Sequence, residues 1–586
     1  MLHLLKKYAD EYGLGAEAGF TSRDVRWAIV CDEKGKFLEI GELGDADLKR
    51  NPGRRFGKCP ELSFSDLKSG GETKCHFLIE TAEVVALYGD KAGDEKPLAK
   101  HAYFVNLLRL AAGVMPELGL AADCLDDAVA MTAIADRLKA HKAKPTDKVT
   151  LCLGGRFPVE SAAWHDWWRG FRKQLNSPSE ESGGQDAGER MRCLVTGELV
   201  SPIAVSPKIS GLSDVGGLAM GDALASYKQD SFCSYGLEQA ANAAVSEKAA
   251  YAYRDALNDL IRKTGHRLAG AKVVHWFKEK VPPEDDPLSF LHEPPDKQES
   301  DAQQRAHELL ESIRSGKRAA LANNYYYALT LSGASGRVMV RDWMEGQFAD
   351  LVESVDRWFA DLSIIHRHGL GLAPPPKFMA VLGATVRELD DLAPPFVAGM
   401  WRVAVGRLPI PQQAMTQALG RARLDFLANN PPNHARMGLL KAYHIRKGDA
   451  HMTPYLNEDH PDPAYHCGRL MAVLGDLQYK ALGDIGAGVI QRYYAAASIT
   501  PALVLGRLVR LSQFHLGKLE GRLAHWYEME YVAPVWTRVR DALPRSLSPE
   551  RQSLFALGYY HQMAKMAADR AQKSEKSTNA KEPNHG

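Results

Sequence analysis

The sequence predicts an α+β protein, with an N-terminal mixed α/β domain with hairpins followed by a C-terminal all-helical bundle domain. Short β-rich runs bounded by turn residues are confined to about the first 342 of the 586 residues. From Trp343 onward, apolar residues instead recur at three- and four-residue spacing, and Pro, Gly or Asn separates the periodic segments. At roughly 100–200 residues per domain, the chain is long enough for separate domains.

The N-terminal domain is expected to cover residues 1–342. A hairpin is predicted over residues 25–40, where two β-rich runs flank the turn Asp-Glu-Lys-Gly-Lys. A second hairpin is predicted from Asn324–Ser332 and Arg337–Arg341, which flank Gly-Ala-Ser-Gly. The other predicted elements include three helices and four short strands, at Lys100–Met115, Leu125–His141, Ser246–Lys263, Cys75–Ile79, Val149–Leu153, Met191–Val195 and Lys272–Phe277.

Polar segments divide the rest of the chain. Residues 177–189 predict a surface loop, and the acidic, Pro-rich residues 281–300 predict a break before a helix at 301–316. The C-terminal helical domain is expected over residues 343–571, and the polar residues 572–586 are expected to form a disordered tail. Its helices are predicted near residues 343–368, 376–389, 411–428, 434–447, 463–482, 500–518, 521–542 and 548–570.

The charge balance argues against a protein that holds polyanions by bulk charge. Lys and Arg number 73 and Asp and Glu 72, a formal net charge of +1, so any nucleic-acid contact has to come from local patches. The eight cysteines are scattered without a CxxC pair, and the sequence contains neither a secretory signal nor a run apolar enough to span a membrane. These features favour a cytoplasmic protein without a membrane partner.

A first basic patch lies at residues 49–58, which hold five basic residues, no acidic residue and one aromatic, Phe56. A flexible basic loop of this kind can clamp phosphates and lay Phe56 against a base or sugar. A solvated surface loop accounts for the same stretch equally well.

A second basic stretch covers residues 401–447, where eight basic residues stand against the single acidic residue Asp425. Lys and Arg on helices neutralise phosphates through non-directional attraction, so this one-sided charge favours nucleic acid. The alternative is a helix surface balanced by acidic residues of a neighbouring domain, such as Glu284, Asp285 and Asp286. The eight basic residues are Arg402, Arg407, Arg421, Arg423, Arg436, Lys441, Arg446 and Lys447.

A glycine-rich segment at residues 208–221 contains four glycines, which let backbone amides approach a phosphate or a base edge. Its spacing matches neither a P-loop nor GxGxxG. A structural glycine-rich loop is therefore as well supported as a ligand loop.

Enzyme signatures are absent from the sequence. It contains no GxSxG, HExxH or Asp-Glu-x-His box, and the step His165-Asp166 lies among tryptophans without evident partner ligands. Adjacent carboxylates such as Asp390-Asp391 diverge by about 100° on a helix and do not face one metal. We expect a binding protein with no catalytic residue, no metal site and no cofactor. The alternatives are a metal-dependent nuclease and a purely structural scaffold of a ribonucleoprotein.

The segment Asn323–Trp343, with its run Asn-Asn-Tyr-Tyr-Tyr-Ala-Leu-Thr-Leu-Ser-Gly, resembles the signature of the large subunit of the type I-C CRISPR Cascade complex. This is the Csd-one, or Cas-eight-subtype-c, family. The resemblance spans essentially the whole chain, although His466-Cys467 stands where the family usually has apolar residues. Four further stretches agree with the family, at Gly236–Tyr253, Gly438–Lys447, Asn457–Leu474 and Leu547–Gln562.

The resemblance implies a subunit of an RNA-guided surveillance complex that serves antiviral defence. Such a subunit recognises the protospacer-adjacent motif in duplex DNA, promotes strand opening and R-loop formation, holds the displaced non-target strand and recruits the helicase-nuclease. The implied partners also include the CRISPR RNA-bound backbone subunits, the subunit that processes the five-prime end of the RNA, and small subunits derived from the C-terminal region of this chain. Met452 and Met471 are plausible internal starts for those small subunits.

Two sets of residues are predicted to contact DNA within that framework. The flanking-motif duplex is expected to meet basic, small and carboxamide residues, although Asn323 and Asn324 could instead cap the turn before the tyrosine strand. The displaced strand is expected to follow the basic helices. The flanking-motif set is Arg54, Arg55, Lys58, Lys208, Ser210, Gly211, Asn323 and Asn324. The displaced-strand set is Arg402, Arg407, Arg421, Arg423, Arg436, Lys441, Arg446, Lys447, Arg507 and Arg510.

Overall fold

The chain divides into two compact units in a computed structural model. The first comprises Met1–Ser213, Gly217–Arg262 and Gly333–Met339, and the second comprises Asp214–Gly216, Lys263–Ser332 and Val340–Gly586. The structure describes residues 1–579 except 15, 16, 18, 46–50, 52, 63–66, 68–72, 176–189, 204, 228, 234, 236, 238–241 and 293–300. The predicted loop at 177–189, most of the second half of the predicted break and residues 580–586 of the predicted tail lie outside the described residues.

The first unit combines helices with short strands. Its helices are α1 (Leu2–Glu11), α2 (Ala82–Val85), α3 (Glu95–Ala111), α4 (Glu117–Asp126), α5 (Ala128–Ala140), α6 (His165–Leu175) and most of α7 (Glu247–Thr264). Its strands are β1 (Phe20–Val25), β2 (Trp27–Cys31), β3 (Phe37–Glu42), β4 (Arg54–Pro60), β5 (Glu80–Thr81), β6 (Lys148–Leu153), β7 (Met191–Arg192), β8 (Leu199–Val200), β9 (Lys208–Ile209) and β10 (Asp222–Ala223).

The central sheet of the first unit has the strand order β3-β2-β6-β5. β2 and β3 pair antiparallel, which confirms the first predicted hairpin, and β6 runs parallel to β2. Asp32 fixes the hairpin turn, because its Oδ1 accepts hydrogen bonds from the backbone N–H groups of Lys34 at 2.9 Å and Lys36 at 2.8 Å. Gly35 supplies the positive φ of 82° that this turn requires.

The core of the first unit is built around three fully buried tryptophans, Trp27, Trp164 and Trp168. A buried indole N–H group without a hydrogen-bond partner destabilises a fold, and each of these three N–H groups has an acceptor. The acceptors are Asp147 Oδ2 at 3.0 Å, Pro158 O at 3.0 Å and Gly19 O at 2.7 Å, in the same order.

The second unit contains β11 (His266–Leu268), β12 (Ala271–Phe277) and the greater part of β13 (Tyr325–Ala334) and β14 (Arg337–Gln347). These strands are neighbours in that order, so the second predicted hairpin is confirmed. Tyr326 of β13 is buried, whereas Tyr325 is 41% exposed. The alternation of side chains along a strand places the two on opposite faces.

Helices form most of the second unit, and the predicted fold class is confirmed. They are α8 (Pro287–His292), α9 (Asp301–Arg314), α10 (Ala319–Ala322), α11 (Phe348–Leu362), α12 (Phe378–Gly383), α13 (Pro394–Gly406), α14 (Gln412–Leu427), α15 (His434–Arg446), α16 (Pro463–Leu482), α17 (Val489–Ile499), α18 (Pro501–Leu516), α19 (Gly521–Tyr527), α20 (Ala533–Thr537) and α21 (Pro549–Asn579). A π-helical turn, Glu528–Val532, joins α19 to α20.

Four of these helices, α8, α10, α13 and α17, have no counterpart among the predicted elements. α13 buries Val397, Met400, Trp401 and Val405, so it is apolar around much of its circumference and lacks the polar face that makes a helix recognisable. Conversely, the last helix continues further than expected. α21 ends at Asn579 and takes in residues 572–579 of the predicted tail.

Two glycines let α16 and α21 cross at close range in the second unit. A Cβ atom added at Gly468 would lie 1.8 Å from the carbonyl oxygen of Phe555, and one at Gly558 would lie 1.9 Å from that of Tyr465. The two backbones therefore touch where each helix has no side chain. The contact brings Tyr465 Oη within 2.7 Å of His561 Nδ1.

We expect Gly468→Ala to lower the melting temperature of the second unit, because its methyl group has no space and overpacking costs about 1–3 kcal/mol. Differential scanning calorimetry measures this effect. Gly399→Ala is the matched control: Gly399 lies inside α13 with nothing within 4 Å of an added Cβ, and alanine there gains up to about 1 kcal/mol of helix propensity. Equal melting temperatures for the two variants would contradict the close crossing.

Candidate nucleic-acid interface

The first basic patch is ordered as a strand over its described part, with Arg54, Arg55 and Lys58 in β4. Their side chains are exposed, and each has an acidic partner. Arg54 pairs with Glu160 at 2.5 Å, Arg55 with Asp24 at 3.4 Å and Lys58 with Glu17 at 3.1 Å. Exposed ion pairs contribute little free energy, so phosphates can compete for these three cations.

Phe56 does not have the role that the basic loop suggested. Its side chain is buried, its ring lies 5.4 Å from that of Phe157, and the Arg54 guanidinium covers both rings. The ring therefore offers no open face to a base. The prediction that Phe56 stacks on nucleic acid is wrong, because the ring is buried against Phe157 beneath the Arg54 guanidinium.

The glycine-rich segment forms tight turns beside β9 and β10. Gly211 has a φ of +88°, and a Cβ there would lie 2.8 Å from Ile261 Cγ2. The backbone N–H of Ser210 donates to Asn258 Oδ1 at 2.8 Å, while the Lys208 side chain is exposed at the start of β9. Gly211 is thus required by local geometry, and Lys208 remains a candidate phosphate ligand.

The paired asparagines occupy different environments. Asn324 is 0% exposed: its Oδ1 accepts from the N–H groups of Glu279 and Tyr325, each at 2.8 Å, and its Nδ2 donates to the Glu279 carbonyl at 2.9 Å. The carboxamide is therefore used to join β13 to the end of β12, and it cannot reach a base edge in this conformation. Asn323 is exposed at the end of α10.

Three members of the predicted displaced-strand set are buried inside the helical unit. Arg436 contacts Asp425, and Arg446 Nε lies 2.8 Å from Asp361 Oδ2. Lys441 is 0% exposed, and its Nζ lies 3.4 Å from the carbonyl oxygen of Ala360. The structure corrects the prediction for these three cations. They are core residues rather than surface ligands, and a phosphate cannot reach them.

Burial also changes how these groups titrate. Removal from water disfavours the charged form of a base, and it lowers the pKa of Arg436 and Arg446 although Asp425 and Asp361 act in the opposite direction. Burial lowers the pKa of Lys441 to about 8, and nearby Asp361 opposes that shift. Lys441 therefore titrates in an accessible pH range.

Three more cations of the set are exposed but paired within the second unit. Arg402 contacts Asp342, Arg407 lies 3.0 Å from Glu353 and Lys447 lies 2.5 Å from Glu550. Acidic residues therefore do balance part of the positive charge of residues 401–447. They are Asp342, Glu353 and Glu550, and not the acidic residues that the sequence suggested. Asp285 instead contacts Arg318, and Asp286 lies 2.8 Å from His275.

Arg421 and Arg423 lie half-buried on α14. Arg423 Nη2 donates to the carbonyl oxygen of Ala495 at 3.1 Å and lines a cavity of about 230 Å³ with Tyr494 and Gln552. The local hydrogen bond holds the guanidinium against α17. Each of these two arginine side chains is therefore only partly accessible to solvent.

Arg507 and Arg510 are exposed on α18, and neither forms an ion pair with any residue that the structure describes. Leu503 and Phe514 share their face, because positions 503, 507, 510 and 514 are separated by four, three and four residues. Arg492 on α17 is exposed as well. Arg492 and Phe514 were missed from the sequence, although the helical spacing of Phe514 from the two arginines was a usable signal.

Two features of other functional classes are absent from the part of the chain that the structure describes. Among the described residues, no three His, Cys, Asp or Glu side chains are grouped so that they could hold a metal ion, and no helix is long and apolar enough to cross a membrane. The ring of His165 packs against those of Trp164 and Phe20. This is the packing role that its tryptophan-rich surroundings predicted.

Comparison with known families gives a match along nearly the whole chain. The model described as CRISPR-associated protein (Cas_Csd1) matches residues 4–567. A search of curated proteins returned no match. The matched range includes most of both compact units and all the candidate DNA-binding residues.

We expect Lys441→Met to leave DNA binding unchanged and to alter the pH dependence of stability. The folded-state pKa of about 8 lies below the ordinary Lys value of 10.5, so the unfolded chain binds more protons between these pH values and the Lys441 contribution to stability increases as the pH rises through this window. Thermal melts from pH 7 to pH 10 should show this increase in the native protein and a smaller one in the variant. Identical profiles, or weaker DNA binding by the variant, would contradict the buried position.

Proposed function

Because the chain belongs to the Csd1 family of CRISPR-associated proteins, the family of the Cascade large subunit, we propose that it is the large subunit of a type I-C surveillance complex. It recognises the protospacer-adjacent motif, promotes R-loop formation, holds the displaced strand and recruits a separate helicase-nuclease. The family match over residues 4–567 carries the proposal. The protein acts in the cytoplasm as a DNA-binding subunit without a catalytic centre or cofactor of its own.

The exposed cations of the first unit support flanking-motif recognition. Arg54, Arg55 and Lys58 follow one another along β4, and Lys208 and Ser210 are exposed beside a tight glycine turn. Cations position a duplex by its phosphates, and groups on short loops approach base edges. Asn323 remains a candidate for base contact in the second unit, whereas Asn324 is removed from the set because its carboxamide is fully used by the backbone.

The exposed face of α18 supports contact with the displaced strand. Arg507 and Arg510 have no carboxylate partner among the described residues, so their charge is available to phosphates at no cost in broken ion pairs. The other exposed cations of the set, Arg402, Arg407 and Lys447, have to exchange an acidic partner first. We therefore place the strongest contact at α18 rather than along residues 401–447.

The helical unit also supports one of the two internal starts over the other. A chain beginning at Met452 retains all of α16, whereas one beginning at Met471 loses its first two turns. The lost residues include Gly468 and Tyr465, which form the backbone crossing with α21. Since that crossing needs both glycines, we propose that the small subunit begins at Met452.

The test of the proposed function uses assembled complexes on targets with a matched protospacer. We expect R-loop formation to depend on the flanking motif. We also expect Arg507→Glu/Arg510→Glu to reduce strand protection by about tenfold or more at physiological salt, because reversal changes the charge facing the phosphates by four units. Permanganate footprinting of the displaced strand measures protection.

The control is Arg267→Glu/Arg387→Glu, which makes the same charge change at two exposed arginines outside α18. Protection that is insensitive to the flanking motif and equal in both double variants would favour a purely structural scaffold. Magnesium-dependent cutting of DNA by the purified chain would favour a nuclease instead.

For the internal start, we expect Met452→Leu to abolish the small product and Met471→Leu to leave it in place, because translation needs the start codon whereas a buried leucine substitutes for methionine at little cost. Intact-mass spectrometry of the purified complex identifies the product. Its persistence in Met452→Leu together with its loss in Met471→Leu would reverse the assignment.

A further inference from the structure

A cleft of about 230 Å³ opens where α16, α17 and α18 meet in the second unit. Drug- and cofactor-sized pockets begin at roughly 300 Å³, so this cleft accommodates one ring or side group of a larger ligand rather than a complete cofactor. The residues that line it include Gln478, Arg492, Tyr493, Ser512, Phe514 and His515.

Phe514 is the most informative of these residues because its side chain is 72% exposed. It lies at the rim of the cleft near the end of α18, and the next residue, His515, lines the cleft as well. The other aromatic lining residue, Tyr493, is partly buried. An exposed phenylalanine at the rim of a cleft presents a flat apolar face to whatever enters.

The charge of the cleft and its surroundings is one-sided. None of the lining residues is acidic, and Arg492 is an exposed cation among them. Arg507 and Arg510 extend the positive charge along α18 from Phe514, and none of these three arginines forms an ion pair with a described residue. A ligand that follows this face therefore meets three unpaired guanidinium groups.

The polar groups at the bottom of the cleft are already used within the protein. Gln478 Oε1 accepts from the backbone N–H of Val489 at 2.5 Å, and Ser512 Oγ donates to the carbonyl oxygen of Val509 at 2.7 Å. His515 has its pKa lowered by burial and by nearby Lys518, so the ring is neutral at pH 7. The cleft thus offers flat faces and peripheral cations, with few groups that could read one base against another.

An aromatic face beside a cationic track is the arrangement that binds single-stranded nucleic acid without strong sequence preference. Stacking accepts any base because every base has a π face, while arginines along the track hold the backbone phosphates. An acidic peptide would satisfy the arginines, but it would leave the flat face of Phe514 without a matching ring. The charge and shape therefore favour a polynucleotide strand.

We propose that this cleft binds one nucleotide of a single strand, with its base stacked on Phe514 and the phosphates on either side held by Arg492 and Arg510. The inference rests on the proposed function only in that the displaced target strand is the strand supplied. Stacking fixes one base at a defined point on α18, and the next phosphate along the helix is then within reach of Arg507.

The test uses the full-length protein and a short oligothymidylate, with no guide RNA or flanking motif present. We expect Phe514→Ala to weaken binding by about tenfold, the order expected for one stacked base, and Phe514→Trp to restore it. Arg492→Gln should reduce the slope of log Kd against log salt by about 0.7, the value for one phosphate contact on a single strand. Tyr455→Ala, at another exposed aromatic residue, is the matched control and should bind normally.

Photocrosslinking gives an independent readout. An oligothymidylate with one 5-iododeoxyuridine should crosslink to Phe514, as identified by mass spectrometry of the digest. Native affinity of Phe514→Ala for the oligothymidylate, or crosslinks confined to peptides outside α17 and α18, would overturn the proposal. The exposed ring would then be a contact site for a protein partner.

The two proposals fail in different ways. Phe514→Ala could weaken oligothymidylate binding while assembled complexes that carry the same substitution protect the displaced strand normally. In that case the cleft is a single-strand site and its assignment to the displaced strand is wrong. If oligothymidylate binding is unaffected by Phe514→Ala while Arg507→Glu/Arg510→Glu removes strand protection, the proposed function stands and the stacking site is overturned.

Discussion

The helical unit depends on the contact of two helix backbones at Gly468 and Gly558. An α16–α21 crossing this close is possible only where both helices lack a Cβ atom. It brings Tyr465 to His561 and Arg469 to Gln562, whose Oε1 accepts a hydrogen bond from the guanidinium Nε at 3.0 Å. Neighbouring helices then pack around this pair, and α17 and α18 carry the exposed basic face. A constraint on two backbones thus determines where the candidate interface lies.

Burial separates two uses of positive charge in this unit. Arg436 and Arg446 are removed from water, and each requires a carboxylate, Asp425 or Asp361, because an unpaired buried charge is strongly destabilising. An arginine that stabilises the core in this way cannot also neutralise a phosphate. The basic residues of one sequence segment are therefore divided between the interior and the surface, and Arg492 and the two arginines of α18 are among the exposed cations without an ion pair to a described residue.

The near-neutral total charge agrees with this division. The 73 basic and 72 acidic residues leave a formal net charge of +1, and many cations of both units have a carboxylate within ion-pair distance. On β4, for example, Arg54, Arg55 and Lys58 all have acidic partners at the surface. Such pairs are weak in water and exchange readily with phosphate. The proposed function requires the release of incorrect duplexes, and contacts of this kind suit it because their loss is not costly.

The sequence alone determined the fold class, both hairpins, most C-terminal helices and the family. These depend on local turn chemistry, on periodicity and on long ordered patterns, all of which are contained in the linear chain. Only the tertiary structure decided which cations reach solvent. Lys441 and Arg507 have similar sequence surroundings, yet one is fully buried and the other is exposed. The difference arises because burial is set by segments distant in sequence, such as α11 packing beside α15, and the orientation of Phe56, Asn324 and Phe514 follows from the same long-range contacts.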